Sequence, residues 1–297
     1  MNITGYSEIS ASVMNSGRNG TVHSVYKNSV NLIFDGQIVS LQPAGSTLTP
    51  LSLLTDCPDF SLLRVQREDV VFTDQHRLQV AGKYVFCYGK QTPLISTRLV
   101  VRQFPVSTEY LRVTRAISDI LEEAAPTESI YHAAFGRPAL SLSQIYLTEE
   151  RSILEHAGAK HAEGDVSSTA FGLSELIGLG PGLTPSGDDF LIGVLFALDM
   201  GNSAEIRTFR QLLWQKILEH VEMTTDLSGQ FLRCAGKGYF AAPLLDLHSA
   251  VFGGDKKMLN ETIRTIATIG HSSGCDTLSG ILWVLKRFCT ERRIETW

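Results

Sequence analysis

Two stretches of this chain read alike, SGDDFLIGVL at residues 186–195 and SGCDTLSGIL at residues 273–282. Ser, Gly, Asp, Leu, Gly and Leu recur at the same spacing, and a glycine-containing approach precedes each copy. Self-similarity of this kind marks a repeated packing unit. Phe190–Leu198 is apolar on every face, so the first copy reads as a buried helix. Gly193 and Gly280 each stand seven residues after the Ser, where the missing side chain lets two helices approach closely. Part of the fold is therefore expected to form around two like helices placed side by side.

The first hundred residues follow a different period. Thr21–Tyr26, Asn31–Phe34 and Gln37–Leu41 alternate or run apolar, and Asp35-Gly36 between the last two is a hairpin signal. Val70–Thr73, His76–Val80, Lys83–Tyr88 and Leu99–Phe104 continue the series, which predicts a small β-barrel or sandwich. From about Ser107 the apolar spacing becomes helical. Val113, Ile117, Ile120, Leu121 and Ala124 form one stripe ending before Pro126, and Ile206 to Val221 form another. Met258–Ile269 and Thr277–Phe288 close the chain as helices. The expected class is α+β, with a β-rich domain over 1–106 and a helical domain over 107–297.

Charge narrows the partners. Lys and Arg number 26 against 31 Asp and Glu, so nothing supplies the basic surface that nucleic-acid binding requires. No apolar run approaches the roughly 20 residues that cross a bilayer, and Met-Asn-Ile-Thr-Gly opens the chain without a signal-peptide pattern. The expectation is a cytoplasmic protein with no membrane or nucleic-acid partner. The five cysteines are widely spaced with no C-x-x-C pair and read as free thiols. A small anionic substrate or a protein partner remains.

The candidate site grows from the two helix starts. Ser186-x-x-Asp189 and Ser273-x-x-Asp276 have capping-box form, and capping and ligand chemistry are both open for these four residues. Asp188 adds a second carboxylate at the head of a buried helix and needs a partner: a metal, a cation or a substrate donor. Adjacent carboxylates suit a hard cation, which makes Asp188 and Asp189 candidate ligands for Mg²⁺. Gly178, Gly180 and Gly182 alternate ahead of Thr184 and the helix start, so backbone N–H groups of this loop, with Gly187 and Gly274 behind the two Ser residues, are expected to take phosphate or carboxylate. His271 at the second approach is a candidate acid, base or donor, and Cys275 is expected to have a lowered pKa from its helix start. Between the copies, Thr224, Thr225 and Ser228 precede a helix with Arg233 and Lys237 on one face, a surface suited to an anion or to neutralising Asp188.

GPGLTPSGDDFLIG, TTDLSGQFLRCAGKGYFAAPLL and IGHSSGCDTLSGIL together resemble the domain-of-unknown-function family that includes AllH, a subunit assigned to bacterial oxamate carbamoyltransferase in allantoin breakdown. The three blocks span most of 178–285, and the N-terminal half carries no motif that matches. The resemblance implies a reaction in which oxalurate and phosphate give oxamate and carbamoyl phosphate, with other carbamoyltransferase subunits as partners. The residues alone leave two further readings. One is a hydrolase or lyase using Mg²⁺ on Asp188 and Asp189, and the other is an assembly subunit whose motifs only cap and pack helices.

Overall fold

The computed structural model describes residues 1–14, 17–100, 108–136, 144–201 and 203–288. Its chain divides into two compact units, one of residues 1–98 with 239–242 and one of 99–238 with 243–297.

The first unit is a curled nine-stranded sheet, a half-barrel. Its strands are β1 (Ile3–Ser7), β2 (Asn19–Tyr26), β3 (Ser29–Phe34), β4 (Gln37–Pro43), β5 (Ser52–Thr55), β6 (Val70–Thr73), β7 (Arg77–Val80), β8 (Tyr84–Cys87) and β9 (Leu94–Ile95). Helix α1 (Glu8–Met14) follows β1. The spatial order is β8-β7-β6-β2-β3-β4-β5-β1-β9. Hairpins make most of it, and the turn residues explain them: Asp35 and Gly36 both have positive φ, as do Ala81 and Gly82. Two neighbours are parallel, β4 with β5 and β1 with β9. The chain start reaches the β8 edge, where Cys87 donates its N–H to the Met1 carbonyl and Asn2 bridges Cys87. Leu32, Phe34, Val39, Leu41, Phe60 and Phe86 lie inside the curl.

The expected Leu99–Phe104 strand does not form at residues 99 and 100, and its remainder lies outside the described residues. Residues 3–7 and 52–55 pair although no turn signal flanked them. Tyr239–Ala242 belongs with this unit: Phe240 donates to the Thr97 carbonyl at 2.8 Å and Ala242 to that of Leu48 at 2.9 Å.

The second unit is helical. Its helices are α2 (Thr108–Ala124), α3 (Tyr131–Ala134), α4 (Gln144–Ala162), α5 (Val166–Ser174), α6 (Ser186–Met200), α7 (Ala204–His220), α8 (Asp226–Gly236), α9 (Ala242–Gly253), α10 (Lys256–Ala267) and α11 (Ser273–Phe288). The two repeat helices, α6 and α11, are its centre. In α6 every residue is buried except Ile192 and Asp199, and α2, α3, α7, α8 and α10 pack around the pair. Each large apolar side chain buried here contributes roughly 1.5–3 kcal/mol. Among the described residues no helix is long and apolar enough to cross a membrane.

Candidate functional site

The two helix starts meet through their glycines. A Cβ on Gly193 would lie 1.9 Å from the Thr277 carbonyl oxygen and 3.1 Å from the Ile281 nitrogen. A Cβ on Gly280 would lie 2.0 Å from the Phe190 carbonyl oxygen and 2.9 Å from the Val194 nitrogen. The contacts are reciprocal position for position, a local pseudo-twofold arrangement. Gly187 and Gly274, one residue after each Ser, press equally hard on the Leu176 and Ile266 carbonyls. Only glycine fits at these four positions, which accounts for the repeated pattern.

The loop before α6 also requires its glycines. Gly178, Gly180 and Gly182 have φ of +77°, +110° and +101°, which side chains of L-residues rarely adopt. The Gly178 N–H donates to Asp188 Oδ1 at 3.0 Å, and the Gly187 N–H to the Leu179 carbonyl at 3.0 Å. The N–H groups of Asp188 and Asp189 reach the Pro185 carbonyl. The Gly178 and Gly187 amides of the expected nest are therefore spent inside the protein.

Neither repeat Ser is a cap. Pro185 occupies the cap position of α6 with no side-chain capping bond, and the Asp276 N–H reaches the Ser272 carbonyl at 2.8 Å, placing Ser273 inside the first turn. The hydroxyls are released for other partners. Ser186 donates to Glu150 Oε1 at 2.7 Å, and Thr184 and Ser273 share a hydrogen bond of 3.1 Å. Both of these hydroxyls also lie beside Asp189 and pull its carboxyl down. Asp276 accepts from the Ser129 hydroxyl at 2.6 Å, from the Ile130 N–H at 2.9 Å, and from Ser272.

Besides Asp188, three buried acids surround the helix starts. Burial raises the Asp189 carboxyl well above the usual range, helped by the Asp276 charge. Burial also raises Asp276 to about 6, against the pull of Ser129, Ser272 and the Ile130 amide. Glu150 rises to about 7, again through burial, with the Ser186 hydrogen bond opposing and the Asp276 and Glu149 charges adding. Each has one buried oxygen with no hydrogen-bond partner: Asp189 Oδ2, Asp276 Oδ2 and Glu150 Oε2. Around them Thr184, Ser272 and Ser273 are half-buried and form a rim towards solvent.

Asp188 has a different role from its neighbour. It accepts from the Gly178 N–H, from the Thr224 hydroxyl and, at 2.7 Å, from the Ser228 hydroxyl. Burial raises its pKa against these donors. Thr225 caps α8 through the Ser228 N–H and donates to the Leu183 carbonyl at 2.6 Å. Asp188, Thr224, Thr225 and Ser228 therefore fasten the glycine loop to α8. Because Asp188 spends both oxygens there while Asp189 turns to Thr184 and Ser273, the adjacent carboxylates do not fit a shared Mg²⁺. Among the described residues no group of three or more His, Cys, Asp or Glu is arranged to hold a metal ion.

Three further expectations change. Arg233 does not neutralise Asp188; it pairs with Glu222. Cys275 is fully buried, and burial pushes its thiol up to about 11, reversing the effect expected of a helix start. His271 is exposed, 3.6 Å from Glu128, although its charge still favours ionised Asp276.

Glu150 and Ser129 were not among the candidates. The one signal for Glu150 is its place on the α4 stripe of Leu154 and Ala157, an acid where an apolar residue is the rule.

Family models match both parts of the chain. One described as oxamate carbamoyltransferase subunit AllH covers residues 176–285, and one described as the AllH family N-terminal domain covers residues 3–91. No solved structure matches.

Proposed function

The chain belongs to the AllH family, and on that premise we propose that it is a subunit of an oxamate carbamoyltransferase-type enzyme of purine and allantoin breakdown. The observation carrying this reading is the match of two family models over residues 3–91 and 176–285. In the proposed reaction a phosphate oxygen attacks the carbamoyl carbon of oxalurate. The bond from that carbon to the inner nitrogen breaks, carbamoyl phosphate forms, and the nitrogen takes a proton to become the amide of oxamate. The proton lost by phosphate balances the one gained by nitrogen. Glu150, with a carboxyl near 7 beside Ser186, is suited to carry it.

The site supports a ligand that both donates and accepts. Thr184 and Ser273 offer half-buried hydroxyls to a carboxylate or phosphate, and the unpartnered buried oxygens of Asp189, Asp276 and Glu150 offer acceptors. The test is purification of the full chain with the proteins that accompany it, followed by assay of oxalurate- and phosphate-dependent carbamoyl phosphate. Product that disappears with Glu150→Gln supports the reading, and a complex that forms none with either substrate order ends it.

A second reading has its own observation. Asp188, Thr224, Thr225 and Ser228 are spent on internal fastening, as a non-catalytic assembly subunit would require. A complex whose activity survives Glu150→Gln and Asp189→Asn together would favour it.

A further inference from the structure

We propose that Asp189 and Asp276 form an acceptor pair for a planar –NH₂ group, with Glu150 beside them, so that the site selects a carbamoyl or amide ligand over a dicarboxylate. The inference rests on the reading above for its ligand class and adds which atoms discriminate. Two of the carboxyls are anchored by hydrogen bonds, Asp276 by the Ser129 hydroxyl and the Ile130 amide and Glu150 by the Ser186 hydroxyl, and the Thr184 and Ser273 hydroxyls stand beside Asp189. Anchoring one part of a carboxylate fixes where the rest points. The remaining oxygen of each is buried and has no partner. Asp276 and Glu150 are 0% exposed and Asp189 6%, so bulk solvent does not reach these oxygens.

An unpaired buried acceptor is costly, and three around one pair of helix starts call for donors from outside. Asp189 and Asp276 occupy like positions in the repeat, each three residues after its Ser and on the same helix face as that Ser. An –NH₂ group carries two N–H donors in one plane, one for each carboxyl. A second carboxylate in the same place would meet only acids. The half-buried hydroxyls of Thr184 and Ser273 stand between this floor and solvent, where the anionic end of such a ligand would sit.

Oxamate and oxalate make the comparison, since they differ by –NH₂ against –O⁻. Calorimetric titration of the full chain with each, at pH 8, should give oxamate at least about tenfold tighter binding, because a site built for N–H donors rejects the analogue that lacks them. Asp189→Asn should remove most of that preference. Ser129→Ala, which loosens the Asp276 anchor without altering α11, should reduce it, and serves if the Asn variant does not fold. Equal binding of the two anions, or tighter binding of oxalate, overturns the acceptor pair and leaves the carbamoyltransferase reading standing. No binding of either anion overturns the acceptor pair. A preference untouched by either substitution overturns the assignment to these residues.

Discussion

Gly193 and Gly280 each face the other's helix: the first lies against the Thr277 carbonyl and the second against that of Phe190, at 1.9 and 2.0 Å for an added Cβ. Neither contact can relax alone, because opening one crossing opens the other. Gly193→Ala and Gly280→Ala should therefore each cost about 3 kcal/mol, the upper range for overpacking a core. Urea denaturation reads this directly. Losses below about 0.5 kcal/mol for either would mean that the helices are less closely seated.

Asp188 binds the glycine loop to α8 through three donors. Asp188→Ala strands all three and should cost about 3 kcal/mol, whereas Asp188→Asn keeps one acceptor and should cost less. The decisive comparison is the ordering of the two variants in thermal denaturation. Equal stability of Asp188→Ala and the parent chain would remove the fastening role.

The raised carboxyls set a pH dependence whose sign follows from proton counting. Glu150 holds its proton up to about 7 when folded but releases it near its ordinary 4.5 when unfolded. Between those values the folded state binds more protons, so this group's contribution falls as pH rises from about 4.5 to 7 and stays low above. The full difference is on the order of 3 kcal/mol. Glu150→Gln should stabilise the protein at pH 8 and change little at pH 4.5, as read from denaturation midpoints. A gain of equal size at both would detach the effect from ionisation.

Cys275 is predicted to be inert. Its thiol is buried and raised to about 11, whereas Cys87 is exposed. Under native conditions at pH 8, Cys275→Ser should leave the rate of thiol labelling unchanged, and Cys87→Ser should lower it. Rapid native labelling at Cys275, located by peptide mapping, would contradict the packing described.

Much of the helical unit was readable because the repeat is a packing rule written in glycines, and each glycine has a backbone against it. The hairpin at Asp35-Gly36 was readable for the same kind of reason, since both turn positions take positive φ. The site was readable only in part. Ser186-x-x-Asp189 looked like a capping box because nothing local distinguishes a cap from a first-turn Ser whose hydroxyl leaves for another helix. Its partner Glu150 lies 36 positions back, and Ser129 lies 147 back from Asp276. Such long-range partners leave no periodic trace. The pairing of β1 with β5 was hidden likewise, since it joins segments far apart without a turn.

The excursion of residues 239–242 into the strand unit has a consequence for any attempt to divide the molecule. The polypeptide passes from one unit to the other three times, so a single cut releases neither half. A fragment ending at Arg98 would lack the segment that satisfies the Thr97 and Leu48 carbonyls, and would carry raw edges there. The two parts are not beads on a string that could be exchanged by simple fusion. A graft of either onto another protein has to carry a second splice point between α8 and α9, and recombination in evolution faces the same restriction.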